Sequence, residues 1–201
     1  MTRPRCSILL ALALSAVTVA DPEAAADYFP CRSCHGDQGQ GSAAIHAPAI
    51  AGQSATYIAR QLRLFRDGIR GDHPRDTYGR QMALMAANLE DAEIERLATH
   101  IAALPPWPVA PAGVPGQPEA VAAYAACAAC HGEAGEGLEA LGAPRIAGLD
   151  PLYIATQLRH FRDGVRGARE DDTAGRQMRA ALPASLSDTD IDRLARHIGR
   201  R

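Results

Sequence analysis

Residues 31–35 read CRSCH and residues 127–131 read CAACH. Beyond residue 20 these two stretches hold every cysteine of the 201-residue chain: Cys31, Cys34, Cys127 and Cys130. Cysteines scattered for a disulfide framework would be spread along the chain, whereas these stand in two tight pairs, each followed at once by histidine, His35 or His131. C-x-x-C-H is the attachment pattern of c-type haem, and its spacing has a mechanical reason. On a helix, positions i and i+3 share a face and i+4 lies beside them. Two thiols so placed reach the two vinyl groups at one haem edge, and the adjacent imidazole reaches the iron. Two other chemistries use such cysteines. Four thiolates would hold one zinc, and a lone C-x-x-C would be a redox dithiol. Zinc explains neither the histidines nor the repeat described next. A redox dithiol is expected beside a βαβ pattern, and the chain has no strand-like alternation.

Shifting the sequence by 96 positions aligns the two motifs and much else. Tyr28 falls on Tyr124, and residues 48–52 (PAIAG) fall on residues 144–148 (PRIAG). Residues 57–71 (YIARQLRLFRDGIRG) match residues 153–167 (YIATQLRHFRDGVRG), and GRQM at 79–82 matches GRQM at 175–178. After one inserted residue Leu89, Ile94, Leu97 and His100 match Leu186, Ile191, Leu194 and His197. A fixed-period self-similarity of this kind is one unit written twice.

Each unit reads as helices. A helix runs into C-x-x-C-H. Ser54 caps a middle helix with Tyr57, Ile58, Gln61, Leu62 and Phe65 at helical spacing, closed by Gly68. Asp150 and Pro151 open its counterpart. A final helix is expected near residues 90–104 and again near 187–199, with Ser187 and Asp190 forming a capping-box pattern. The fold class is therefore all-α, in tandem haem domains related by internal duplication.

A haem iron held by one histidine has a second face to fill. Beyond residue 20 the chain has three methionines, Met82, Met85 and Met178. Met82 and Met178 are repeat equivalents, each 47 residues after its histidine, whereas Met85 aligns with Ala181. Symmetry therefore selects Met82 and Met178 as axial ligands and leaves Met85 to packing. A soft thioether favours Fe(II) and raises the potential relative to two imidazoles.

Composition bounds the rest. Hydrophobic residues make up 47% but aromatics only 4%, and each half is about as small as domains that need a staple or cofactor. Arg3 and Arg5 precede an apolar run over residues 8–20 with small residues at its end, the pattern of a cleaved export signal spanning residues 1–20. Its loss leaves 19 basic and 23 acidic residues, a net charge of −4. Nucleic-acid binding would need a basic patch. All 21 basic residues are arginine, which reads as genome composition. Residues 105–118 (PPWPVAPAGVPGQP) hold six prolines and read as an extended connector. The expected domains are residues 21–104 and 119–201, a haem unit each.

On the paired C-x-x-C-H, the P-x-I-A-G segments, the Y-x-x-x-Q-L-x-x-F helices and R-Q-M before an L-x-D-x-x-I helix start, the mature chain resembles the class I c-type cytochromes, and among them the dihaem cytochrome c4 group. The resemblance implies two haem c groups, haem domains packed edge to edge about a pseudo-twofold axis, and periplasmic electron transfer towards a terminal oxidase. It also implies that the Pro48 and Pro144 carbonyls accept a hydrogen bond from the histidine Nδ1–H, which fixes ring orientation. One departure stands out: the final helix of such proteins offers an aromatic where this chain has His100 and His197.

Three functions follow from this reading. The leading one is an electron carrier with two His/Met haems. The second is the cytochrome subunit of a dehydrogenase complex, for example one oxidising sulfide or an alcohol. The third, an enzyme such as a dihaem peroxidase or a thiosulfate dehydrogenase, needs an open iron face, against which two matched methionines argue. The expected partners are redox proteins such as an oxidase or a dehydrogenase, with peripheral membrane association allowed. His46, His73 and His160 lack histidine counterparts and read as surface residues. Arg60, Arg63, Arg66 and Arg70 read mostly as a solvated face, with one or two of them, and Arg80 and Arg176, as candidate partners of haem propionates.

Overall fold

A computed structural model describes residues 22–106 and 118–201. The export signal expected at residues 1–20 and all but the ends of the connector lie outside the described residues. Each half contains α-helices in the same order. The first half has α1 (Pro22–His35), α2 (Ala55–Arg66), α3 (Thr77–Ala86) and α4 (Asp91–Ala103). The second has α5 (Pro118–His131), α6 (Pro151–Arg162), α7 (Thr173–Ala181) and α8 (Asp188–Ile198). Among the described residues no strand forms, only the isolated bridges Ser42–Ala47 and Leu138–Ala143. The all-α, duplicated architecture expected from the sequence is the one observed.

The caps are local chemistry. Ser54 Oγ accepts from Tyr57 N–H at 3.2 Å, and Asp150 Oδ1 accepts from Leu152 and Tyr153 N–H, with Pro151 opening α6. Ser187 Oγ accepts from Asp190 N–H and itself donates to the Asp190 carboxylate. Each cap satisfies donors that the first turn leaves without a partner.

Helices α3 and α7 are additions to the sequence reading, which placed three helices in each unit. Buried aspartates start them: Asp76 Oδ1 accepts from Gly79 N–H and Asp172 Oδ1 from Gly175 N–H, both at 2.8 Å. They are short, and α3 exposes Tyr78, Leu84 and Met85, so helical periodicity has little length in which to show. They matter because they carry Met82 and Met178.

Each half has its own core. Tyr28, Ile58, Ala59, Ile94, Leu97, Ala98 and Ile101 close the first, where α4 packs across α1 and α2. Tyr124, Ile154, Leu158, Ile191, Leu194 and Ile198 do the same in the second. His100 and His197 stand where an aromatic was expected, and they serve as one. Their rings lie 5.2 Å from Tyr28 and 5.7 Å from Tyr124, within aromatic pairing range.

Ile94 and Ile191 are 0% exposed, so truncation leaves a cavity that the helices can only partly close. Ile94→Ala and Ile191→Ala should each destabilise the haem-loaded protein by about 2–5 kcal/mol. Denaturant unfolding followed by circular dichroism measures this, and losses well under 1 kcal/mol would show that the α4 and α8 contacts are not the core.

Candidate haem sites and the surface between them

Helix α1 delivers Cys31, Cys34 and His35 at its last turn, and α5 delivers Cys127, Cys130 and His131. The chain then turns through Gly36 or Gly132, both at φ 80°, and the buried Tyr28 and Tyr124 hydroxyls donate to these glycine carbonyls at 2.7 Å. A tyrosine one helical face away thus ties down the end of each motif helix.

Both histidines are buried, and each ring is aimed by one bond. His35 Nδ1 lies 2.8 Å from the Pro48 carbonyl and His131 Nδ1 lies 2.9 Å from the Pro144 carbonyl. A carbonyl oxygen only accepts, so Nδ1 carries the proton and Nε2 keeps its lone pair. Burial pushes both imidazoles below their ordinary value, with the proline carbonyls pulling the other way, so both rings are neutral donors at neutral pH. The proline segment comes this close only because Gly41 and Gly137 pass beneath it. A Cβ on Gly41 would stand 2.5 Å from Ala49 N, and one on Gly137 2.6 Å from Arg145 N.

None of the four cysteines is joined in a disulfide. Burial and the neighbouring Cys34 push Cys31 up to about 11, and burial likewise raises Cys127, so both are protonated thiols. Among the described residues no three histidine, cysteine or acidic side chains gather as a metal site, so the two pairs do not converge on one zinc. Met82 and Met178 are half-buried, and Met178 packs against the second core, whereas Met85 is 54% exposed.

Two sequence expectations need correcting, and both corrections lie between the halves. Arg70 is not on a solvated face; it is 8% exposed. Its Nη1 donates to Gln61 at 2.6 Å and its Nη2 to Gln157 at 3.3 Å. Its repeat mate Arg166 mirrors it, donating to Gln157 at 2.7 Å and to Gln61 at 2.9 Å. Each glutamine carbonyl oxygen therefore takes one donor from each half. The guanidiniums also stack on Phe65 and Phe161, 4.4 and 4.5 Å from the ring centres. Burial alone would raise the Tyr57 phenol, but the Arg166 and Arg70 charges outweigh it and hold the group below the ordinary phenol value. Arg60 leaves the solvated face as well, its Nη2 donating to the Gly142 carbonyl of the other half at 2.6 Å. Arg63 and Arg66 do stay near the surface, paired with Asp91.

The second correction is His160. Its side chain is 13% exposed and lies against Asp76 of the other half. The signal was in the repeat: His160 aligns with Leu64, itself buried.

These groups fit haem. Two neutral imidazoles each offer one free nitrogen, and a thiol pair sits one turn before each. The Nε atoms of Arg70 and Arg166 are buried without a hydrogen-bond partner, leaving donors for an acidic group such as a propionate. Arg80 and Arg176, also candidates for that role, are exposed.

The cytochrome c family model matches twice, over residues 23–105 and 119–200. Cytochrome c4 of Azotobacter vinelandii is 30% identical over 98% of this chain and 98% of its own. A thiosulfate dehydrogenase electron acceptor of Thiomonas intermedia is 32% identical over 73% of this chain and 67% of its own. Among solved structures, cytochrome c4 of Acidithiobacillus ferrooxidans superposes with a TM-score of 0.67 at 26% identity, covering 88% of this chain and 99% of that one.

Proposed function

The chain belongs to the cytochrome c family, in its dihaem cytochrome c4 group, and from that premise we propose that it is a periplasmic carrier passing single electrons between respiratory partners, towards a terminal oxidase. Cys31 and Cys34 anchor one haem through thioether bonds, and Cys127 and Cys130 the other. His35 and Met82 ligate the first iron; His131 and Met178 ligate the second. Bound haem supplies a one-electron Fe(III)/Fe(II) couple.

The observation that carries this reading is the pair of buried histidines, each fixed through Nδ1 by a proline carbonyl and each directly following its thiol pair. The chain's own residues do three things for electron transfer. The proline carbonyls hold the imidazoles in one orientation, which limits rearrangement when the charge at the metal changes. The half-buried thioethers of Met82 and Met178 would serve as the second protein ligands of the bound irons, favouring the reduced state relative to two imidazoles. Arg70 and Arg166, shared between the halves, keep the two sites in one fixed relation. In support of a periplasmic location, residues 1–20 have the export pattern.

A second reading has a specific observation behind it. The similarity to the Thiomonas intermedia electron acceptor favours a subunit that takes electrons from a sulfur-oxidising dehydrogenase. The two readings share the same haem sites and differ only in the donor.

Denaturing mass spectrometry of protein from a cytochrome c-maturing host should give the chain lacking residues 1–20 and heavier by two haems. The ferrous native protein should bind carbon monoxide slowly or not at all, since a methionine would accompany the histidine at each iron. A bare-chain mass, bound zinc, or rapid stoichiometric carbon monoxide uptake would each overturn the assignment.

A further inference from the structure

The duplication makes departures from symmetry conspicuous, and one of them is buried. Asp76 and Asp172 are repeat equivalents, 4% exposed each, and cap the helices that bear Met82 and Met178. Across the interface the residue equivalent to Leu64 in the second half is His160. His160 Nδ1 lies 3.7 Å from Asp76 Oδ1, is buried, and has no hydrogen-bond partner. The charged groups facing it are Asp76 at the start of α3, Arg75 beside it, Arg70 after α2 and Arg166 after α6. Arg75 is itself drawn to Asp163, with Nη1 3.7 Å from Oδ2. One titratable ring therefore sits against the cap of the Met82 helix, and the corresponding partner on the other side is a leucine.

We propose that His160 is a positioning residue that sets the first haem apart from the second, making its reduction potential pH-dependent through Asp76. This rests on the reading of Met82 as an axial ligand. A proton on His160 puts a positive charge beside the Asp76 carboxylate and offsets the negative charge at that helix start. Less negative charge near the iron favours Fe(II), so the potential of the first haem rises as pH falls. Linkage makes the effect reciprocal: oxidation, with one electron leaving to an external one-electron oxidant, lowers the proton affinity of His160, and the fraction of a proton released goes to water. Burial first, then the three arginines, hold His160 below the ordinary imidazole value against the pull of Asp76, so the step lies on the acid side of the usual histidine range. On the other side Leu64 shares a pocket with Asp172 and offers no titratable ring there, so the second haem lacks the step.

The test is a pair of potentiometric titrations over pH, on the haem-loaded wild type and on His160→Leu, which installs the residue the repeat already uses at Leu64. In the wild type one haem should show a pH step corresponding to about a threefold change in the acid dissociation constant of His160 between redox states, or about 28 mV at 59 mV per tenfold. His160→Leu should lose that step and keep its neutral-pH potentials. Asp76→Asn, which still caps α3, should move the step to lower pH. Histidine NMR of the wild type measures the same constants directly in oxidised and reduced protein, and stands even if the leucine variant fails to fold. Equal constants in both redox states, or identical pH profiles in wild type and variant, would overturn the proposal. The thioether–iron charge-transfer band, recorded on the same samples, separates the two readings. Its loss at the first haem of the wild type refutes Met82 ligation, whereas an intact band without a His160-dependent step refutes only this inference.

Discussion

Met82→Leu should remove about half of the thioether–iron charge-transfer band of the oxidised protein, while Met85→Leu leaves the band whole. The two methionines lie three residues apart on α3, so proximity in sequence does not separate them; burial and symmetry do. Met85 is 54% exposed and its repeat equivalent is Ala181, whereas Met82 is half-buried and its equivalent Met178 packs against the second core. Leucine keeps the volume and helix propensity of methionine but has no lone pair, so the variant isolates ligation from packing. The potential of the first haem should fall by a sizeable part of the roughly 0.8 V over which axial ligands set haem potentials. Unligated, that iron should also bind carbon monoxide rapidly when reduced. A band halved by Met85→Leu and untouched by Met82→Leu would show that the repeat register misleads at this position.

The sequence made the haem side of the molecule legible because that chemistry is local. Cys31, Cys34 and His35 sit within one helical turn, and the same turn recurs 96 residues later, so spacing alone carries the meaning. The orienting carbonyls were accessible only by resemblance, since Pro48 lies 13 residues from His35 and nothing in the intervening segment signals the contact. Helices α3 and α7 escaped notice because a start signal of one aspartate, placed ahead of a nine- or ten-residue segment, is too weak to read without the fold. The interface was the least legible part. Arg70 follows three arginines at helical spacing and reads as solvated, yet it lies past the end of α2, where the chain turns towards the other half. Only the tertiary arrangement brings Gln157 and Tyr153 to it. His160 was readable in principle, through the buried apolar residue at its repeat position.

That interface leads to the other large effect. After proteolysis at a cleavage site inserted near Gly116 in the haem-loaded protein, the two halves should stay associated at micromolar concentration, which requires about 8 kcal/mol of association free energy. The connector is then a tether and not the glue. Gln53 Nε2 donates to the Arg145 carbonyl at 2.7 Å and Thr56 Oγ1 to Glu139 at 2.9 Å, but these lie at the margins or on backbone. The centre is the exchange of Arg70 and Arg166 across Gln61 and Gln157. Gln61→Leu with Gln157→Leu deprives the buried Arg70 and half-buried Arg166 guanidiniums of their shared acceptors, and each unsatisfied buried donor costs about 1–3 kcal/mol. The cleaved double variant should therefore dissociate at least about 100-fold more readily, since 2.7 kcal/mol suffices for that ratio. Sedimentation velocity on the cleaved samples reads this directly. Neither glutamine is a proposed haem ligand, so the haem content and the charge-transfer band should be unchanged, which distinguishes loss of docking from loss of folding. Cleaved wild-type halves that sediment separately at micromolar concentration would mean that the arginine–glutamine exchange does not hold the molecule together.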